Sequence, residues 1–137
     1  MTPLTQMLQS LEPQLHPDCW VYASPAGADW QQLPLLGCFR ETEGWTLILR
    51  EQDARVAGLT IHFRAAWLTL TVASELAAVG LTAAVAQALA QAGIACNVIA
   101  AQHHDHLFVP WAEGPAALAC LQALQRDSTR HRSSAAG

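Results

Sequence analysis

The segment from residue 81 to residue 110 restricts the fold of this chain more than any other part. Apolar residues recur at helical spacing from Leu81 to Ala92, and a glycine follows that run directly. This pattern predicts an amphipathic helix that ends at the glycine. The next residues, Ile94 to Ala100, predict a strand, and His104 to Val109 predict a second one after a short turn. Before the helix, Trp67 to Val72 alternates apolar and polar residues, which is typical of a half-buried strand.

The second half of the chain lacks one strand of a common unit. Gly114 starts a further helix that carries a stripe of leucines. Residues 66–126 therefore predict strand, helix, strand, strand, helix, whereas a ferredoxin-like unit ends with one more strand. The predicted strand from Cys19 to Ala23 can supply it, which would interlock the two halves. The polar segment 127–137 has no periodicity and predicts a disordered tail.

The first half predicts a rougher version of the same unit. After a helix and the strand near residue 20, a hairpin joins Gly37–Glu41 to Trp45–Arg50. A short helix and an extended piece from Leu59 to Arg64 follow. We therefore expect an α+β protein with antiparallel sheets, built from an N-terminal half (1–65) and a C-terminal half (66–126).

Composition and charge narrow the class of partner. The chain has 7 arginines, no lysine and a net charge of −4, so it lacks the clustered cations that nucleic-acid phosphates require. Only 13% of the residues are charged, against about 25% in typical soluble domains, so we expect uncharged surface and a homodimer. The four cysteines form no C-x-x-C pair, which favours reduced thiols and a cytoplasmic location.

The apolar run from residue 76 to residue 102 is long enough to cross a bilayer, for which about 20 residues suffice. Gln87, Gln91 and Asn97 interrupt it, and its pattern changes from helical to strand-like after Gly93. We therefore expect no contact with a membrane.

Three histidines near residue 105 raise the question of a metal site. His104 and His106 would share one strand face, and this spacing can chelate zinc if further ligands arrive. No other close Cys/His pair occurs in the sequence, so we favour a solvated hairpin without a metal or cofactor. The motifs G-x-S-x-G, G-x-G-x-x-G and H-E-x-x-H are also absent from the sequence. The sequence favours a non-enzymatic protein, and a metal-dependent enzyme using His104 and His106 is the alternative.

A candidate ligand site lies at the start of the best-defined helix. The turn Val79-Gly80-Leu81-Thr82 would place unpaired backbone N–H groups there, where a carboxylate is stabilised by these donors and by the helix dipole. Equally, Gly80 could serve only to let the helix pack closely on its strand. Asn97 is also unusual on a strand, because its amide needs partners that either a ligand or the backbone can provide.

Four segments carry a resemblance to a known family. They are Phe39-Arg40-Glu41 with Gly44-Trp45-Thr46-Leu47, Ala78-Val79-Gly80-Leu81-Thr82-Ala83, Ala92-Gly93-Ile94-Ala95-Cys96-Asn97-Val98, and His104-Asp105-His106-Leu107-Phe108-Val109-Pro110. Here the chain resembles the ACT family, ligand-sensing domains of amino-acid metabolism, and in particular small bacterial tandem ACT proteins. More weakly, it is similar to the repeats of a eukaryotic cytosolic arginine sensor.

This resemblance implies a tandem ACT fold, dimerisation and amino-acid binding. The ACT glycine at the strand-to-helix turn corresponds to Gly80. The implied ligand-binding residues are Val79, Gly80, Leu81 and Thr82, with Cys96, Asn97, Val98 and Ile99 on the second strand. The expected function is a regulatory module for an amino acid or a similar small molecule. A ligand-free assembly module is the other alternative.

Overall fold

The computed structural model describes residues 3–27, 29–72 and 80–136, with side chains up to residue 129. Within these ranges the chain forms the following helices and strands, apart from two single 3-10 turns: α1 Pro3–Gln9, β1 Pro13–Leu15, β2 Trp20–Ser24, β3 Gly37–Glu41, β4 Gly44–Arg50, α2 Glu51–Val56, β5 Thr60–Leu70, α3 Leu81–Gln91, β6 Asn97–Ala100, β7 Asp105–Pro110 and α4 Gly114–Ala136.

All seven strands belong to one antiparallel sheet, in which β5 is shared by both halves. The sheet order is β3-β4-β2-β5-β7-β6. Residues Thr60 to Ala65 of β5 pair with β2, and Ala65 to Leu70 pair with β7. We expected two extended pieces here, Leu59–Arg64 and Trp67–Val72. They form one strand because the alternation of faces continues through Ala65 and Ala66, both of which are buried.

The strand missing from the second half comes from the N-terminus, as expected, but from a different segment. β1 pairs with Leu68–Leu70, which gives the ferredoxin-like order β1-β5-β7-β6. The prediction that Cys19–Ala23 fills this place is wrong, because β2 pairs instead with β4 and with the first part of β5. Directly before β1, Glu12 adopts a left-handed backbone conformation with a φ of +43°.

The helices pack on one face of the sheet and leave an aromatic cluster on the other. The helix-side core joins Leu68 and Leu107 to α3 and α4. A second core packs under α2. Alternation along the strands sends Tyr22, Ile48 and Phe108 to the opposite face, where they form a third cluster.

The C-terminal helix is longer than expected. α4 continues to Ala136, so the prediction of a disordered tail is wrong for residues 127–136. Leu121 is fully buried and anchors the helix, so the unfavourable nucleation step is already complete and each further residue adds one helical hydrogen bond. The hydroxyl of Ser128 also donates to the Leu124 carbonyl oxygen, at 2.9 Å.

The apolar run 76–102 does not form one helix. Its described part divides into α3 and β6, and residues 76–79 lie outside the described residues. Among the helices that the structure describes, none is long and apolar enough to cross a membrane.

Candidate functional site

The start of α3 is shaped by Gly80. Its φ of +104° is a left-handed conformation that side chains other than glycine rarely adopt. A Cβ at Gly80 would lie 3.1 Å from Cδ2 of Leu4, so the glycine also permits α1 to pack closely. Leu81 is buried, and Thr82 is exposed on the first turn. Val79 lies outside the described residues. Packing against α1 explains the glycine, and ligand binding here stays a prediction.

The residues predicted on the second strand have mixed environments. Cys96 lies one residue before β6, and burial raises the pKa of its thiol to about 11. Asn97 is exposed, and its Nδ2 donates to the carbonyl oxygen of Phe108 at 3.3 Å. The neighbouring strand therefore satisfies this amide. Val98 is half-buried, and Ile99 is exposed.

A cavity of about 490 Å³ lies between the two edge strands, β3 and β6, on the face away from the helices. We call it the β3–β6 cleft; it is lined by Tyr22, Gly37, Cys38, Phe39, Glu41, Thr46, Ile48, Val98 and Ile99. Residues of both edge strands can line one cavity only because the sheet curls. Gly80, Leu81 and Thr82 are not among these lining residues, so the cleft contains two of the predicted site residues and is separate from the others.

The cleft is apolar at its base and acidic at one end. Burial, and next the proximity of Cys96, raise the pKa of the Tyr22 hydroxyl to about 12, so the phenol remains protonated at neutral pH. The ring of Tyr22 packs edge-on against Phe108, with the ring centroids 5.6 Å apart. At the acidic end, the hydroxyl of Thr46 donates to Oε1 of Glu41 at 2.5 Å and fixes that carboxylate.

A second, polar cavity of about 390 Å³ adjoins the cleft and shares Glu41 and Thr46 with it. Glu43 and His62 also line this second cavity. The His62 imidazole is hydrogen-bonded to the hydroxyl of Ser24, with a distance of 2.6 Å between Nε2 and Oγ. The two cavities together give a surface that is apolar on one side and acidic on the other.

The histidine cluster contains a residue that the sequence did not indicate. His16 stacks on the Trp67 indole, with ring centroids 3.5 Å apart, and its Nε2 lies 2.7 Å from Oγ1 of Thr69. That hydroxyl is in turn 3.1 Å from Nδ1 of His106. Trp67 Nε1 donates to the same Nδ1 at 3.1 Å, so His106 must accept there and be neutral in this arrangement.

Burial of both imidazoles lowers the pKa of His16 and of His106. The charge of His106 lowers the pKa of His16 further, and the charge of His104 lowers the pKa of His106 further. The rings of His104 and His106 have centroids 6.5 Å apart. Among the described residues, no three His, Cys, Asp or Glu side chains come close enough to hold a metal ion.

Comparisons with known proteins agree with this architecture. Residues 1–66 and residues 63–123 each match a family profile of the ACT domain. Among proteins with curated descriptions, no sequence matches the chain. A solved Vibrio cholerae protein of unknown function, described as a possible transport protein, is 43% identical with a TM-score of 0.80. That match covers 89% of this chain and 95% of the other.

A more distant structure shows the same fold. The regulatory subunit of aspartate kinase from Thermus thermophilus, in its ligand-free form, has a TM-score of 0.65 at 12% identity, covering 84% of this chain and 97% of that one. The two family matches overlap at residues 63–66, within the strand β5 that both units share. This protein therefore belongs to the ACT-domain family and carries two ACT units in tandem.

Proposed function

We propose that this protein is a non-enzymatic regulatory ACT protein that binds an amino acid or a similar small metabolite. The observation that carries the proposal is the match of two successive ACT segments across residues 1–123. ACT domains are regulatory rather than catalytic, and the Thermus neighbour is itself a regulatory subunit. The proposal therefore gives the chain a binding role and no reaction of its own.

The start of α3 is the proposed contact for the ligand carboxylate. Gly80 has no side chain that could cap the helix, so amides of the first turn can donate to a ligand. The helix dipole favours a negative charge at the same place. We assign this contact to the turn from Val79 to Thr82, and a facing contact from a neighbouring unit to Cys96, Asn97, Val98 and Ile99.

A homodimer and a cytoplasmic location are part of the same proposal. Val56 is 86% exposed and Trp111 is 40% exposed in the single chain. In a homodimer, which usually has a two-fold axis, we expect such side chains to be covered by the partner. All four cysteines are free thiols, which supports a reducing compartment.

A thermal-shift panel of amino acids, on protein stripped of endogenous ligand, tests the proposed site through two variants of Thr82. In Thr82→Glu the new carboxylate is stabilised by the helix dipole but repels a ligand carboxylate. Thr82→Gln has a similar size and no charge. We expect a ligand at a hundredfold excess over its Kd to stabilise the wild type by about 2.7 kcal/mol.

Thr82→Gln should retain that stabilisation and Thr82→Glu should lose it. An equal shift in both variants would contradict the assignment of the site. No shift with any amino acid at millimolar concentration would contradict amino-acid binding itself and favour an assembly module.

A further inference from the structure

The β3–β6 cleft is a cavity built by both ACT units. Phe39 and Glu41 lie on β3 of the first unit, whereas Ile99 lies on β6 of the second. Its volume of about 490 Å³ lies within the range of about 300–1,000 Å³ that is typical of small-molecule sites. The cleft does not include the turn at Gly80, although it shares Val98 and Ile99 with the facing contact of the proposed amino-acid site.

The mouth of the cleft exposes apolar side chains on both sides. Phe39 is 71% exposed on one edge strand, and Ile99 is 40% exposed on the other. Between them, the partly buried Tyr22 and the buried Ile48 form an apolar base. A ligand with an aromatic or aliphatic body would cover all four side chains at once and remove their apolar surface from water.

The negative charge at one end of the cleft determines which sign of charge a ligand can carry there. Glu41 is held in place by the Thr46 hydroxyl, and Glu43 follows on the wall of the adjoining cavity. The described lining residues of the two cavities include no arginine, and the chain has no lysine. Among these lining residues the one basic side chain is His62 in the adjoining cavity, which is hydrogen-bonded to Ser24. A cationic group is therefore attracted to this end, whereas a carboxylate is repelled.

We propose that the β3–β6 cleft binds a small amphipathic cation that has no carboxylate. The apolar body lies between Phe39 and Ile99, and a protonated amine pairs with Glu41. This ligand class differs from the amino acid expected at Gly80, because a carboxylate would be unfavourable beside Glu41.

Three matched probes test the proposal: 2-phenylethylamine, the neutral 2-phenylethanol and the anionic 3-phenylpropionate. They share an aromatic body and differ mainly in charge. We expect titrations followed by amide NMR to shift Gly37–Glu41 and Val98–Ile99, with affinity falling from the amine to the alcohol to the acid. Equal affinities, or amine-induced shifts confined to residues 80–82, would overturn the proposal.

Two pairs of variants separate the charge from the apolar wall. Glu41→Gln should weaken amine binding about two- to fivefold, the range of a surface ion pair, and should leave alcohol binding unchanged. Its control, Glu113→Gln, removes the same charge from a residue outside the cleft. Ile99→Ser should weaken amine and alcohol alike, whereas Val56→Ser, an exposed control on α2, should weaken neither. Unchanged amine binding in Glu41→Gln would also overturn the proposal.

Discussion

The point where α4 meets the sheet offers a sharp test of how the two halves interlock. Gly114 is the first residue of α4 and is buried. A Cβ added to it would lie 2.8 Å from Cβ of Ala66 on β5 and 3.5 Å from Cδ1 of Leu15 on β1. We therefore expect Gly114→Ala to destabilise the protein, because it forces apart three elements that the fold packs together.

The expected magnitude follows from the geometry. Gly114 has φ −53° and ψ −55°, which any residue adopts, so alanine brings no backbone strain and gains about 0.4–1 kcal/mol from the unfolded chain. Against this, overpacking costs about 1–3 kcal/mol. Ala66 is 1% exposed, and its Cβ cannot move away without moving β5. The net loss should be about 1–2 kcal/mol, or a fall of about 3–8 °C in Tm.

Urea unfolding of a double-mutant cycle measures this contact directly. Ala66→Gly removes the atom that the new Cβ meets, so the double variant should be more stable than the sum of the two single effects predicts. Gly37→Ala is the control, because its new Cβ would meet no atom within 4 Å. The close packing of α4 on β5 would be refuted if the Gly114→Ala variant were as stable as the wild type. It would also be refuted if the effects of the two substitutions were strictly additive in the double variant.

Two further predictions rest on titratable groups. Stability should fall as the pH drops below about 6.5, because burial and the charge of His104 lower the pKa of His106. That contribution to stability is complete above the ordinary histidine pKa and is lost as the pH falls through the lower pKa of the folded state. If the urea midpoint falls by the same amount in the wild type and in His106→Gln between about pH 8 and pH 5, this prediction is contradicted. Iodoacetamide at about pH 8 should label the exposed Cys38 before Cys96, since the Cys96 pKa of about 11 leaves little thiolate. Early labelling of Cys96, found by peptide mass spectrometry, would count against this.

Elements with local signals could be predicted from the sequence. The apolar spacing of α3 and the glycine after it are local, and the hairpin of β3 and β4 was predicted to within a residue. β1 had no such signal, since it is three residues long and begins with a proline. Its place depends on a partner more than fifty residues away, and only the assembled sheet determines that pairing.

The candidate sites differ in the same way. The turn at Gly80 could be predicted because a glycine directly before an apolar helical repeat is a local signal, and the resemblance to the ACT family covers the same stretch of sequence. The β3–β6 cleft was not predicted, because Phe39 and Ile99 are sixty residues apart and line one cavity only through the curl of the sheet.

The shared strand explains why the two ACT units form a single body. A cut between Ala65 and Ala66 would divide β5, leaving Thr60–Ala65 paired with β2 in the first unit and Ala66–Leu70 paired with β7 in the second. The second unit would also lose β1, which the N-terminal segment supplies. The backbone hydrogen bonds between β1 and Leu68–Leu70 would then be missing from both halves, so we do not expect either half to fold alone. The cleft depends on this continuity, because the distance between its two walls is determined by the curl of one uninterrupted sheet.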